Sequence, residues 1–159
     1  IQKDLENKNL QSELSFLKSQ INPHFLFNTL NSIYALSLKK SDKAPELVLR
    51  LSEMMRYMLY KSNEKEVPLE QEIQYIQNYL ALEKTRDGEK ARIEFELAGA
   101  APQKYSIATL LFITIHENSF KHGLSVSITE GFVDCKLKIA DNKIDSTLKT
   151  SKTTITDGR

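Results

Sequence analysis

Pro23 sits inside a stretch that otherwise reads as continuous helix, and it constrains everything around it. A proline within a helix removes one backbone hydrogen bond and crowds the preceding turn. Ahead of it, Leu10, Leu14, Leu17 and Ile21 are spaced 4, 3 and 4 apart, the spacing of a coiled-coil seam. Asn7 falls one step earlier in that register, where a polar residue can fix pairing. An ordinary amphipathic helix accounts for the same short pattern. Beyond the proline the apolar residues are Phe25, Leu26, Phe27, Leu30, Ile33 and Tyr34. At ~100° per residue this stripe lies on a different side of the helix from the first. His24 falls well away from its centre, and is expected to be accessible where the helix is locally perturbed.

Ser41 and Asp42 make a turn, and Ala44 to Ser62 reads as the next helix. Leu47, Val48, Leu51, Met54, Met55, Met58 and Leu59 project to one side of it, with Arg50, Glu53, Arg56 and Tyr60 on the other. The methionine stripe reads as core filling rather than a docking groove. Two amphipathic helices joined by a short turn form an antiparallel hairpin. A lone hairpin cannot bury both stripes, and dimerisation into a four-helix bundle is the simple solution.

Pro68 precedes a third helix marked by Leu69, Ile73, Ile76 and Leu80 and stopped at Asp87-Gly88. Arg92 to Leu97 alternates charged and apolar residues and predicts a strand. Gly99 to Ser106 reads as a loop, Ile107 to His122 as a fourth helix ended by Gly123, and Val126 to Ile128 with Phe132 to Ala140 as a hairpin around Gly131. Ser146 to Arg159, rich in Ser, Thr and Lys, is expected to be mobile. The order is a helical hairpin over residues 1–66, then an α+β unit over 67–159.

Composition removes several classes of function. Lys and Arg number 22 against 21 Asp and Glu, for a net charge of +1, which disfavours a general grip on nucleic acid, since that depends on clustered positive charge. No apolar run approaches the ~18–20 residues of a bilayer span, and no signal peptide opens the chain. Cys135 is the only cysteine, so neither an intramolecular disulfide nor a cysteine metal cluster can form.

Three clusters carry possible chemistry. In Asn22-Pro23-His24-Phe25-Leu26-Phe27-Asn28 one histidine lies beside a proline among large apolar residues and asparagines. A neutral imidazole is a nucleophile that can accept a phosphoryl group; a partly buried structural histidine is the plainer reading. In His116-Glu117-Asn118-Ser119-Phe120-Lys121-His122-Gly123, the apolar face of Ile107, Leu110, Leu111 and Ile115 continues onto Asn118, Lys121 and His122. Polar groups ending an apolar face need partners. An amide oxygen suits Mg²⁺ and an ammonium suits phosphate; capping of the helix end is the alternative. Asp141-Asn142 follows an apolar strand, where a carboxylate can accept from an adenine amino group and where the pair alone is a turn signal.

Taken together, the Asn22 to Asn28 string, the second amphipathic helix, the Glu-Asn-x-x-Lys-His-Gly helix and the strand before Asp141-Asn142 resemble the LytS-type sensor histidine kinases, over about Leu14 to Asp145. The resemblance implies a dimeric hairpin forming a four-helix bundle, followed by part of an α/β sandwich of the histidine kinase and gyrase type. It implies a protein histidine kinase of a two-component system, using ATP and Mg²⁺, homodimeric, and passing phosphate to a response regulator. His24 becomes the phosphoacceptor, Glu117 the motif acid that polarises a catalytic group or water, Asn118 the Mg²⁺ ligand, Lys121 and His122 phosphate- and ribose-side contacts, and Asp141 the adenine-reading acid. Asn28 and Arg56 match polar positions around the acceptor. An upstream membrane sensor region is implied, making these residues the cytoplasmic portion of a membrane-anchored protein. Thr109 and Thr114 stand where the family usually has prolines, His116 where it has an aliphatic residue, and Lys143 where it prefers glycine. The glycine-rich segment and lid of the family are expected after Arg159, the chain being read as cut within the nucleotide domain. Two competing readings stand beside this one: a dimeric signalling scaffold with a degraded or incomplete nucleotide site, and an ATPase or serine kinase of the same nucleotide fold.

Overall fold

A computed structural model of the chain describes residues 2–20, 22–87, 91–99, 102–123, 131–140 and 143–150. The fold is α+β. Helices α1 (Gln2–Gln20), α2 (Pro23–Leu38) and α3 (Lys43–Lys61) lead into strand β1 (Glu66–Pro68) and helix α4 (Leu69–Asp87). Strand β2 (Ala91–Gly99), a 3-10 turn (Pro102–Lys104), strand β3 (Ser106–Ala108), helix α5 (Leu111–Gly123), and strands β4 (Gly131–Ala140) and β5 (Lys143–Thr150) complete it. Among the described residues no helix is long and apolar enough to cross a membrane.

Pro23 starts a helix rather than interrupting one. Asn22 has extended backbone, and its side-chain Oδ1 accepts from the N–H groups of His24 (3.1 Å) and Phe25 (3.3 Å). That is an N-cap with proline at the first helical position, where its missing N–H costs nothing. In the seam before it, Leu10 is exposed, and the side chains of Leu14, Leu17 and Ile21 fall outside the described residues. Helix α2 ends at Leu38, and in the turn beyond it Lys40 takes the left-handed region with φ 51°, while the Ser41 N–H bonds back to the Leu36 carbonyl at 3.0 Å. This closes α2 against α3 as an antiparallel pair.

The hairpin, α4 and the larger sheet share one core. Ile33, Leu47, Leu51 and Met54 from the hairpin meet Leu69, Ile73, Ile76 and Leu80 of α4, which in turn pack toward Ile93, Val133, Leu137 and Ile139 of the sheet. Met55 and Met58 pack against this core as expected, whereas Val48 and Leu59 are exposed. Helix α4 is thus the layer between the hairpin and the sheet.

The larger sheet runs β2-β4-β5, with β2 parallel to β4 and β4 antiparallel to β5. Strand β4 therefore pairs with β2 and β5; residues 126–128, expected to be its hairpin partner, lie outside the described residues. Part of the tail expected to be mobile is strand β5. Ile144 faces Ile139 and Leu148 faces Cys135 across the ladder, while Ser146 between them dilutes the alternation. Residues 151–159 are outside the described set. Gly99 has φ 106°, and a Cβ there would run into the Ile139 carbonyl oxygen, so the parallel pairing at the end of β2 requires glycine.

The fourth predicted helix begins later than its periodicity suggests. Ile107 pairs with Val67 in the short β1–β3 ladder, and Leu110 takes φ 60° before α5 begins at Leu111. Its apolar face is also different. Phe112, Ile113 and His116 are buried, while Leu111 and Ile115 are exposed.

Candidate functional site

The Asn22 cap and Pro23 place His24 in the first turn of α2, where its ring is exposed. One turn on, the Asn28 amide nitrogen lies 3.2 Å from His24 Nδ1 and 3.5 Å from Nε2. Rotating that amide by a half-turn would instead put Oδ1 beside Nδ1, so a single side chain can select either tautomer. Phe25 points the other way and stacks on Tyr79 of α4, ring centroids 5.0 Å apart and planes at 27°. The apolar anchor at Phe25 and the exposure of its neighbour His24 leave the imidazole in solvent on a fixed helix turn. Arg56, on the exposed side of α3, has no such anchor.

Glu117, in α5, is half-buried and takes part in the polar contacts of the structure. Burial, followed by the nearby Glu117 and Glu72 carboxylates, holds the Tyr75 phenol well above the ordinary tyrosine range. The backbones of Asn118, Lys121 and His122 continue α5; their side chains, and Asp141 after the end of β4, lie outside the described residues.

His116, singled out because an aliphatic residue is usual there, is a core residue. Its Nδ1–H donates to the Phe112 carbonyl at 2.6 Å, and its Nε2 lies 2.8 Å from Cys135 Sγ. With Nδ1 protonated, Nε2 accepts from the thiol. Burial holds the imidazole below its ordinary range, opposed by the Phe112 bond. Burial, then Asp134, pushes the Cys135 thiol up to about 11. The pair ties α5 to β4.

Two further polar clusters lie outside the sequence motifs. Asn78 of α4 is buried; its Oδ1 accepts from Arg50 at 3.1 Å and its Nδ2 donates to Glu53 at 3.1 Å, both on α3. Glu72 of α4 is wholly buried; its Oε1 accepts from the Tyr57 hydroxyl at 2.5 Å and from the Leu110 N–H at 2.7 Å. The signal for Glu72 was present: three residues after Leu69 and four before Ile76, it lies on the apolar stripe of α4, where a carboxylate requires a partner.

Outward from the core, α2 exposes Phe27, Leu30, Tyr34 and Leu38, at 65, 46, 64 and 67%, and α3 exposes Val48, Leu49, Leu59 and Tyr60. The α2 residues are spaced 3, 4 and 4 apart, a second apolar face on a helix that already buries Ile33.

Residues 12–91, about half of the chain, match the family described as Histidine kinase. Over 142 residues the chain is 30% identical to the sensor histidine kinase YpdA of Escherichia coli K12, which covers 89% of this chain and 24% of that protein. It is 32% identical over 127 residues to the sensor protein LytS of Streptococcus agalactiae serotype V, covering 80% and 22%. It is 38% identical over 126 residues to the sensor histidine kinase BtsS of Escherichia coli K12, covering 77% and 22%. The chain spans about a quarter or less of the length of these relatives. The family match takes in the capped His24 helix, the hairpin and α4, the elements that build the exposed imidazole site, and the chain belongs to the LytS-type sensor histidine kinase family.

Proposed function

We propose that this chain is the phosphoacceptor hairpin, residues 1–66, and the start of the ATP-binding unit, residues 67–159, of a two-component sensor kinase that phosphorylates itself on His24 and passes the phosphoryl group to an aspartate of a response regulator. The observation that carries this reading is the exposed His24 imidazole on a capped helix, with Asn28 against Nδ1 and Phe25 anchored on Tyr79.

With the Asn28 oxygen accepting from Nδ1–H, the Nε2 lone pair faces solvent. Nε2 attacks the γ-phosphorus of ATP, the P–O bond to ADP breaks, and ADP leaves with the electron pair. The ring then loses a proton to solvent. The product is anionic and sits at the N-terminus of α2, which favours negative charge by about 0.3–1 kcal/mol. Phosphoryl transfer depends chiefly on alignment and charge neutralisation.

Mg²⁺, when bound, neutralises charge on the phosphates. Among the described residues no group of three or more His, Cys, Asp or Glu can hold a metal alone. The donor chemistry nevertheless fits, because a triphosphate supplies most of the oxygens and an amide oxygen, that of Asn118, is a hard ligand to complete the set. Lys121 and His122 hold the phosphate and ribose side, Asp141 reads adenine, and Glu117 polarises a group near the acceptor.

The exposed stripe of Phe27, Leu30, Tyr34 and Leu38 supports a homodimer, since an apolar face of this extent at helical spacing is seldom left to water. A second copy covering it makes a four-helix bundle. An upstream sensor region in the membrane acts through α1 on the Asn22–Pro23 junction. Incubating the full-length chain with γ-³²P-labelled ATP tests the reading. Acid-labile, base-stable label lost in His24→Gln is expected; label that persists in that variant overturns it.

A further inference from the structure

We infer that Glu72 is a positioning residue for this reaction: its buried carboxylate clamps the start of α5 to the end of α3, fixing the motif helix relative to the hairpin that carries His24. The inference rests on the proposed phosphorylation of His24 and adds to it a residue outside the three clusters of the sequence.

Three elements meet on a single oxygen. Glu72 Oε1 takes the Tyr57 hydroxyl from α3 and the Leu110 N–H from the turn before α5, while Glu72 itself belongs to α4. Among the described residues its Oε2 is buried with no hydrogen-bond partner. A leucine at this position would continue the stripe of Leu69, Ile73 and Ile76 without the cost of burying a polar group. What leucine cannot do is accept hydrogen bonds from two other elements. The arrangement is therefore poorly explained as core filling.

The turn that Glu72 holds is unusual. Leu110 is a non-glycine residue at φ 60°, a conformation that persists only where surrounding contacts impose it. Beside it, the Thr109 N–H donates to the Lys65 carbonyl at 3.2 Å and the Thr109 hydroxyl to the Glu64 carbonyl at 2.5 Å. A proline at 109 could make neither bond. The start of α5 is thus tied twice to the segment where the hairpin ends, through Thr109 and through Glu72. Tyr57 extends the connection, since its ring packs against Tyr75 of α4 with centroids 5.0 Å apart. A run of contacts joins Glu72, Tyr57 and Tyr75. Loss of the clamp frees α5 to shift along α4, and misplacement by about 1 Å can cost on the order of 100-fold in rate.

The test uses the full-length chain and its Tyr57→Phe, Glu72→Leu and Glu72→Gln variants. Initial rates of labelling at saturating ATP, the ATP concentration for half-maximal rate, and thermal midpoints are measured for each. Tyr57→Phe and Glu72→Leu are expected to lower the saturated rate by about tenfold or more while half-saturation moves less than about twofold, the pattern of an interaction used in the transition state. Glu72→Gln keeps an oxygen that accepts both bonds, and is expected to stay within about threefold of the parent. Parent-like rates in a folded Tyr57→Phe overturn the inference, as does a Glu72→Gln as slow as Glu72→Leu. A parent chain that takes no label on His24 overturns the functional reading and this one with it; a labelled parent with an unaffected Tyr57→Phe removes only the role of Glu72.

Discussion

Phe25 and Tyr79 stack with ring centroids 5.0 Å apart, which anchors the helix turn bearing His24 onto α4. Phe25→Ala removes the stack and part of the core contact. A loss of about 2 kcal/mol in unfolding free energy is expected, toward the low end for aromatic truncation because Phe25 is only half-buried. Urea denaturation measures it, and a loss below about 0.5 kcal/mol would show that the stack does not hold the turn.

Asn78 couples α4 to α3 through Arg50 and Glu53. Arg50 also holds Glu46 with Nε at 2.9 Å and Nη2 at 2.8 Å, so it keeps a partner when Asn78 is removed. Asn78→Ala is expected to cost about 1–3 kcal/mol, and Glu53→Gln, which keeps an acceptor, less than about 1 kcal/mol. Equal losses in the two variants would argue against the amide as the element that joins the helices.

His116 and Cys135 each make stability depend on pH. Because burial lowers His116, the unfolded chain takes up a proton that the folded chain refuses as pH falls through about 6.5. Stability therefore declines on the acid side, by at most about 1.4 kcal/mol per pH unit for this group. Cys135 is raised from 9.0 to about 11, so its contribution is intact below pH 9 and is lost as pH rises toward 11. Thermal midpoints are expected to be highest between about pH 7 and 9. Cys135→Ala should flatten the decline from about pH 9 to 10, below the range where Tyr57 and Tyr75 add theirs. An alkaline limb identical in that variant contradicts the assignment.

The exposed face of α2 makes a separate prediction. Tyr34→Glu and Leu38→Glu place charges on a surface proposed to be covered by a second copy. Each is expected to weaken dimerisation by about thirtyfold, or ~2 kcal/mol, in sedimentation equilibrium, with little change in helix content. A parent chain that stays monomeric at micromolar concentration contradicts the bundle.

Much of this architecture was legible because its determinants are local. The 3.6-residue spacing of Leu47, Leu51 and Met54, and of Leu69, Ile73 and Ile76, marks α3 and α4, and the histidine string marks its own site. What was not legible depends on partners distant in sequence. Pro23 reads as an interruption when the helical spacing on both sides is followed, although Asn before Pro is also a helix-start signal, and the Asn22 cap is what decides between them. Ile107 continued a helical period, yet Val67 draws it into a ladder. The buried face of α5 was misjudged because His116 reads as polar, although a thiol and a backbone carbonyl satisfy both its nitrogens. Glu72 lay on an apolar stripe without notice, because its two donors come from α3 and from the turn before α5.

The central claim is that the His24 imidazole, with Nδ1 against Asn28 and Nε2 open to solvent, receives the phosphoryl group. Locating the phosphate by ³¹P NMR and by electron-transfer fragmentation of the labelled full-length chain tests it most directly. The account predicts a single phosphohistidine at Nε2 of His24. Phosphate on a serine, a threonine, His116 or His122, with none on His24, would contradict it.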